Sequence, residues 1–344
     1  MRRTTPRGLA VALALCLAGR AGAQSADLDQ SAILATAGLS GLGQAATIVS
    51  CAWYDQPAFP YVFLGLATLQ LTPALALGGA DARTNLGVQL ALDAAALGNA
   101  AWLGPNQASP LLTNFAHKWS MYASYDSYYG LRSRSADAAY RTSAPYGIAE
   151  LALAPFDPAN YREWYVWGYL GSMAAYAAVA ALGADQSNAV WSTGRAYLGD
   201  ESFPLWAGIP LMLALQTANF TATGIGEEAL YRGVYYSEMK YRWGEWPAKI
   251  GDAAWFTASH LPQQRDKLSG YTLGQWALKL GLSAVQTFWL QYVYDQGGLK
   301  PAIAVHAAND VISFMVDWLV AGGVPNERGF SINQRSLSVT IPLR

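Results

Sequence analysis

The densest cluster of residues able to do chemistry is Gly226-Glu227-Glu228-Ala229-Leu230-Tyr231-Arg232-Gly233, at the end of an apolar run. Glu228 and Arg232 are four residues apart and so share one face of a helix. Glu227 lies about a quarter-turn away and faces the bundle interior if Glu228 holds Arg232. Two adjacent carboxylates repel, so one holds its proton more tightly than the other. One carboxylate poised and a second fixed by a cation is what a general base needs. The same residues also read as an ion pair on a solvated helix end. Two of the 3 histidines stand in the apolar C-terminal third. His260 closes Trp255-Phe256-Thr257-Ala258-Ser259-His260, with Phe256 one helical turn before it, and His306 opens His306-Ala307-Ala308-Asn309-Asp310. Asp310 shares the face of His306, and Asn309 nearly does. Singly, each histidine reads best as the maker of a structural hydrogen bond. Jointly, two glutamates and two histidines on successive apolar helices are costly to bury without a function. The third histidine, His117, reads as structural or exposed.

The elements that must position these side chains are apolar helices. Of 344 residues, 53% are hydrophobic and 13% charged, about half the charge of an average soluble domain. That composition excludes a disordered chain, and a formal net charge of -1 gives no electrostatic pull toward nucleic acid. Trp 13 and Tyr 20 outnumber Phe 10, a bias suited to membrane–water interfaces. Long apolar segments cover 31–54, 58–80, 84–103, 166–184, 203–222, 272–294 and 302–321, with a shorter one at 250–261. The expected fold is therefore all-α, a polytopic transmembrane helical bundle. A wetter interval at 104–163 holds Lys118, Arg132, Arg134, Arg141 and Arg162. Trp119, Tyr122, Tyr125 and Tyr129 recur in it at helical spacing, which predicts either an amphipathic helix at the interface or an aromatic stripe packed on its neighbours.

The first residues read as a signal peptide. Arg2, Arg3 and Arg7 precede a short apolar run at 8–18, and Ala21-Gly22-Ala23 has the small-residue pattern of a cleavage site. An uncleaved first helix is the alternative. Cys16 leaves with the signal, so Cys51 remains alone and no internal disulfide is expected. With the mature N-terminus outside, the arginine-bearing interval and the loop with Arg232, Lys240, Arg242 and Lys249 fall on the cytoplasmic side. The connection at 185–201, with Asp185, Asp200 and Glu201 against Arg195, falls outside. That distribution follows the positive-inside bias. In the tail, Leu337, Val339, Ile341 and Leu343 alternate with polar residues, a weak strand signal.

Taken in order, the three motifs resemble those of the CAAX-processing and bacteriocin-processing intramembrane proteases, the glutamic-type peptidases also called the abortive-infection family. Its signature, Glu-Glu-x-x-x-Arg, Phe-x-x-x-His and His-x-x-x-Asn/Asp, reads here as Glu227-Glu228-x-x-x-Arg232, Phe256-x-x-x-His260 and His306-x-x-x-Asp310. The lead-in Gly298-Leu299-Lys300-Pro301-Ala302-Ile303 is also similar to the family's third motif. The resemblance covers roughly 203–322. With the signal peptide (1–23) it divides the chain into an N-terminal membrane region without assigned role (24–200), a protease core (201–322), which the resemblance implies, and a tail (323–344). It implies that Glu227 activates a water, that His260 holds and polarises that water, and that Arg232 holds Glu228. His306 and residue 310 would face the developing oxyanion. Many members have Asn where this chain has Asp310. An ionised carboxylate cannot donate, so Asp310 would instead orient His306 or carry a proton, and Asn309 could supply the donor.

The resemblance implies an endopeptidase without a cofactor, acting on a membrane-associated protein or peptide in a lipid bilayer, in a multi-pass protein of the bacterial inner membrane. The same histidines and glutamates could instead hold zinc, although Glu-Glu-x-x-x-Arg differs from the His-Glu-x-x-His helix motif of zinc proteases. A second functional class is a non-catalytic membrane protein that binds or sequesters a partner on this scaffold, as in peptide-toxin immunity. A transporter would show paired broken helices in two related halves, and the chain has no such symmetry. The substrate is not legible in the sequence.

Overall fold

The structure, a computed structural model, describes residues 26–51, 58–71, 82–103, 110–199, 201–261 and 270–324. The expected signal peptide and the expected tail strand lie outside these residues. In chain order the helices are α1 (Ala26–Ser50), α2 (Phe59–Leu69), α3 (Ala82–Leu103), α4 (Pro110–Arg132), α5 (Trp164–Gly183) and α6 (Leu205–Glu227). They continue as α7 (Ser237–Trp243), α8 (Glu245–His260), α9 (Leu273–Gly297) and α10 (Leu299–Ala321), with a π-helix, Glu228–Tyr236, joining α6 to α7. Among the described residues, three helical segments are long and apolar enough to cross a membrane: Gln30–Ser50, Trp164–Gly183 and Leu299–Ala321. The segment expected to span from 58 to 80 holds an 11-residue helix, Phe59–Leu69, and residues 72–80 lie outside the described part.

Phe203, expected at the start of a span, belongs instead to a hairpin in which β1 (Arg195–Leu198) pairs antiparallel with β2 (Glu201–Pro204). Pro204 is the reason for the boundary. It sits extended at φ -64 and ψ 149, and α6 begins on the next residue, where the four orphan N–H groups of a helix start.

For α4 the structure decides between the two readings. Tyr122 and Tyr125 are buried in the main core beside Ile225, Leu230, Phe256 and Ile303. The aromatic stripe is therefore packed on its neighbours, with Trp119 and Tyr129 partly buried beside it. A stretch rich in serine can be buried because each hydroxyl donates to a carbonyl one turn back: Ser120 to His117 at 2.7 Å, Ser124 to Ser120 at 3.0 Å and Ser127 to Ala123 at 2.8 Å. His117 is buried, with its Nε2 3.0 Å from Gln44 Oε1 and its ring against the edge of Phe63. Its exposed reading is thereby removed and its structural reading kept.

Arg132 is not a loop charge either. It is buried at the end of α4 and donates to the Tyr140 carbonyl and the Tyr128 hydroxyl, each at 3.0 Å. Tyr128 and Tyr140 in turn donate to Glu238 on α7. Burial, with the Glu238 carboxylate adding to it, pushes the Tyr140 hydroxyl well above its usual range, so it stays a donor.

Two glycines set how closely α4 meets the α6–π segment. A Cβ on Gly226 would come within 2.9 Å of Lys118 Cα, Cβ and O, and one on Gly233 within 2.7 Å of the Tyr125 ring. The spacing is seven residues on both sides, two helical turns, so the elements touch along one seam. The core crosses residue 200: Ile33, Ala37 and the α4 tyrosines pack with Leu230, Phe256 and Ile303.

Candidate active site

Four elements converge at this seam. Glu227 is the last residue of α6 and Glu228 the first of the π-helix, a wider turn that is frequent at functional sites. On α8, Asp252, Phe256 and His260 follow one another at four-residue steps on one face. On α10, His306 and Asp310 are likewise one turn apart.

Glu228 and Arg232 are both fully buried and meet at 3.1 Å, so the reading as an ion pair on a solvated helix end does not hold. The same Glu228 Oε1 lies 2.6 Å from His306 Nδ1. A carboxylate can only accept, so Nδ1 carries the hydrogen. His260 Nδ1 lies 2.7 Å from the Phe256 carbonyl and carries its hydrogen for the same reason. These tautomers follow from the hydrogen-bond network, and they leave the Nε2 atoms of both rings toward Glu227. Glu227 Oε2 is 3.7 Å from His260 Nε2 and 3.7 Å from His306 Nε2. Each gap is too long for a direct hydrogen bond and within the reach of one bridging water. Asp310 Oδ2 lies 3.4 Å from His306 Nε2, and Asn309 donates to Asp310 Oδ1 at 3.0 Å. The Asp310 carboxylate therefore faces the ring of His306, and one hydrogen of the Asn309 amide is spent on Asp310.

Phe256 is the packing centre of the group. The Arg232 guanidinium sits 4.3 Å from its ring centroid, the His260 ring lies tilted against it at 4.6 Å and His306 stands edge-on at 6.2 Å. Aromatic and cation–π contacts of this kind fix orientation as well as adding energy.

Two charged residues of the site were not singled out from the sequence. Asp252 is fully buried, 3.6 Å from Arg232 Nε and accepting from Gln291 at 2.9 Å. Its signal was present: it stands four residues before Phe256 on the face that carries His260. Lys118 on α4 donates to Glu227 Oε1 at 2.6 Å, and both groups are buried. The sequence assigned it only to the wet interval, and no local pattern marks it. Lys118 also stands in the wall of an apolar cavity of about 810 Å³, together with Leu92, Trp119, Phe156, Ala218 and Ile225.

Residues 209–312, which include all seven motif residues, match the family described as type II CAAX prenyl endopeptidase Rce1-like. No curated protein and no solved structure matches the chain. The resemblance read from the three motifs is thus supported by a family match over the segment that carries the site.

Proposed function

We propose that the protein is a multi-pass intramembrane endopeptidase in which Glu227 activates a water that attacks a peptide bond of a membrane-associated substrate. The observation that carries this reading is the placement of Glu227 Oε2 at 3.7 Å from both His260 Nε2 and His306 Nε2. A water in that triangle would give one hydrogen to Glu227 Oε2 and the other to the lone pair of His260 Nε2. As its oxygen attacks the carbonyl carbon, Glu227 takes the proton. His306, when protonated at Nε2 as well, donates to the oxyanion, and Glu228 and Asp310 support its charge. Collapse of the tetrahedral intermediate breaks the C–N bond, and Glu227 passes its proton to the leaving amine.

The charge balance supports a metal-free version. Lys118 and Arg232 already neutralise Glu227 and Glu228, a task that a dication would otherwise perform. The apolar cavity beside Lys118 supports an apolar substrate segment reaching the site from the membrane, and the charge of the loops supports a site facing the cytoplasm. A library of membrane-embedded peptides treated with purified wild type beside Glu227→Ala tests the proposal. Cleavage by wild type and none by the variant is expected. Equal cleavage by both ends the assignment at this site and leaves a binding scaffold.

A further inference from the structure

Lys118 lies outside the segment that matches the family, 109 residues from the carboxylate it contacts. A lysine ammonium is strongly hydrated and costly to bury, yet this one is 8% exposed. Its burial is built into the fold. Gly226 leaves no side chain between the two helices, so the Lys118 backbone passes where a Cβ at 226 would be, 2.9 Å away. The adjacent carboxylate then receives the ammonium at 2.6 Å. Only one oxygen of Glu227 is engaged in this way. Oε2 accepts no hydrogen bond from another side chain and points at the two imidazoles.

We propose that Lys118 is a positioning residue for the base: it keeps Glu227 ionised and, by holding Oε1, aims Oε2 at the nitrogens of His260 and His306. This rests on the reading of Glu227 as the base. The N-terminal region, which has no family signature, would then complete the active site. The charged and titratable groups around Glu227 come from every element packed there. They are His117 and Lys118 from α4, Glu228, Tyr231 and Arg232 from the π-helix, Asp252 and His260 from α8, and His306 and Asp310 from α10. Of these, Lys118 is the cation in direct contact with Glu227, whereas Arg232 is paired with Glu228.

The test compares Lys118→Gln, a neutral donor, and Lys118→Arg, which keeps the charge, in purified full-length protein shown to be monodisperse. A hydrophobic carbodiimide adds to protonated buried carboxyls, and mass mapping reads labelling at Glu227 against pH without any substrate. An opposite charge in contact favours the ionised carboxylate, so labelling in Lys118→Gln should begin about one pH unit or more above wild type. Lys118→Arg should follow wild type. On whichever library peptide wild type cleaves, Lys118→Gln should lose about tenfold or more in kcat with KM nearly constant. Identical labelling curves for Lys118→Gln and wild type overturn the proposal. So does a rise in KM at constant kcat, which would make Lys118 a substrate contact. Full activity in Glu227→Gln would remove the base itself and leave the labelling shift standing as charge coupling alone, so the two failures are distinguishable.

Discussion

At the scale of single residues, the site separates two glutamates by their partners. Each has one oxygen held, Glu228 Oε1 by Arg232 and His306 Nδ1 and Glu227 Oε1 by Lys118, but it is the second oxygen of Glu227 that faces the Nε2 atoms of both histidines. Glu227→Gln keeps the size and most of the hydrogen bonding but removes the base, so turnover should fall by about 10²–10⁴-fold. Its melting temperature should fall, because the buried Lys118 ammonium keeps an oxygen to bond but loses its counter-charge. His306→Ala removes a contact used mainly in the transition state and should lower kcat more than it changes KM, with a loss of up to about 3–4 kcal/mol in barrier stabilisation. Metal dependence is read separately. The proposed enzyme should keep its activity after dialysis against a chelator, whereas loss on chelation and recovery with zinc would favour the metal reading.

The element scale explains why these residues meet. The α6–π–α7 segment runs without a break past α4, and the contact depends on Gly226 and Gly233. Gly226→Ala would press a methyl group against backbone atoms of α4, which cannot rotate away as a side chain can. We expect a loss of about 1–3 kcal/mol, the usual range for overpacking, measured as a lower melting temperature in detergent, with reduced turnover because Lys118 is displaced. Gly38→Ala is the matched control. Gly38 is an exposed position of α1 with no atom within 4 Å of the new methyl. It should be stabilising by about 0.5–1 kcal/mol through lower helix-forming cost. A Gly226→Ala protein as stable and active as wild type would show that the seam tolerates more space than its geometry implies.

For the whole molecule, the decisive question is orientation. Lys118, Arg132 and Arg232 are buried and leave the count of loop charges. Arg134, Arg141 and Arg162 remain exposed before the α5 span, and Lys240 and Arg242 remain so beyond the π-helix. The positive-inside bias therefore survives with fewer charges. Ala138 and Ser187 are exposed on the two connections, so single cysteines there, in a background without Cys16 and Cys51, report sidedness. An impermeant thiol reagent on intact cells should label the Ser187 variant and spare the Ala138 variant. The opposite pattern would put Glu227 on the outer side.

What the sequence determined by itself is what local periodicity can carry. Glu228 with Arg232, Phe256 with His260 and His306 with Asp310 each sit one turn apart on a helix, and those relations hold wherever the helices pack. The same periodicity places Asp252 on the Phe256–His260 face, so that residue too is legible in the sequence. The apolar runs likewise announced α1, α5 and α10, whose length and composition suit a membrane. Tertiary structure alone decided the environment of α4. Its serines, its lysine and its tyrosines spell a wet surface when read along the chain. Hydroxyls that bond back to their own helix, and a carboxylate supplied from 109 residues away, turn it into the centre of the core. A buried charge depends on a partner, and no spacing within α4 could name the partner of Lys118.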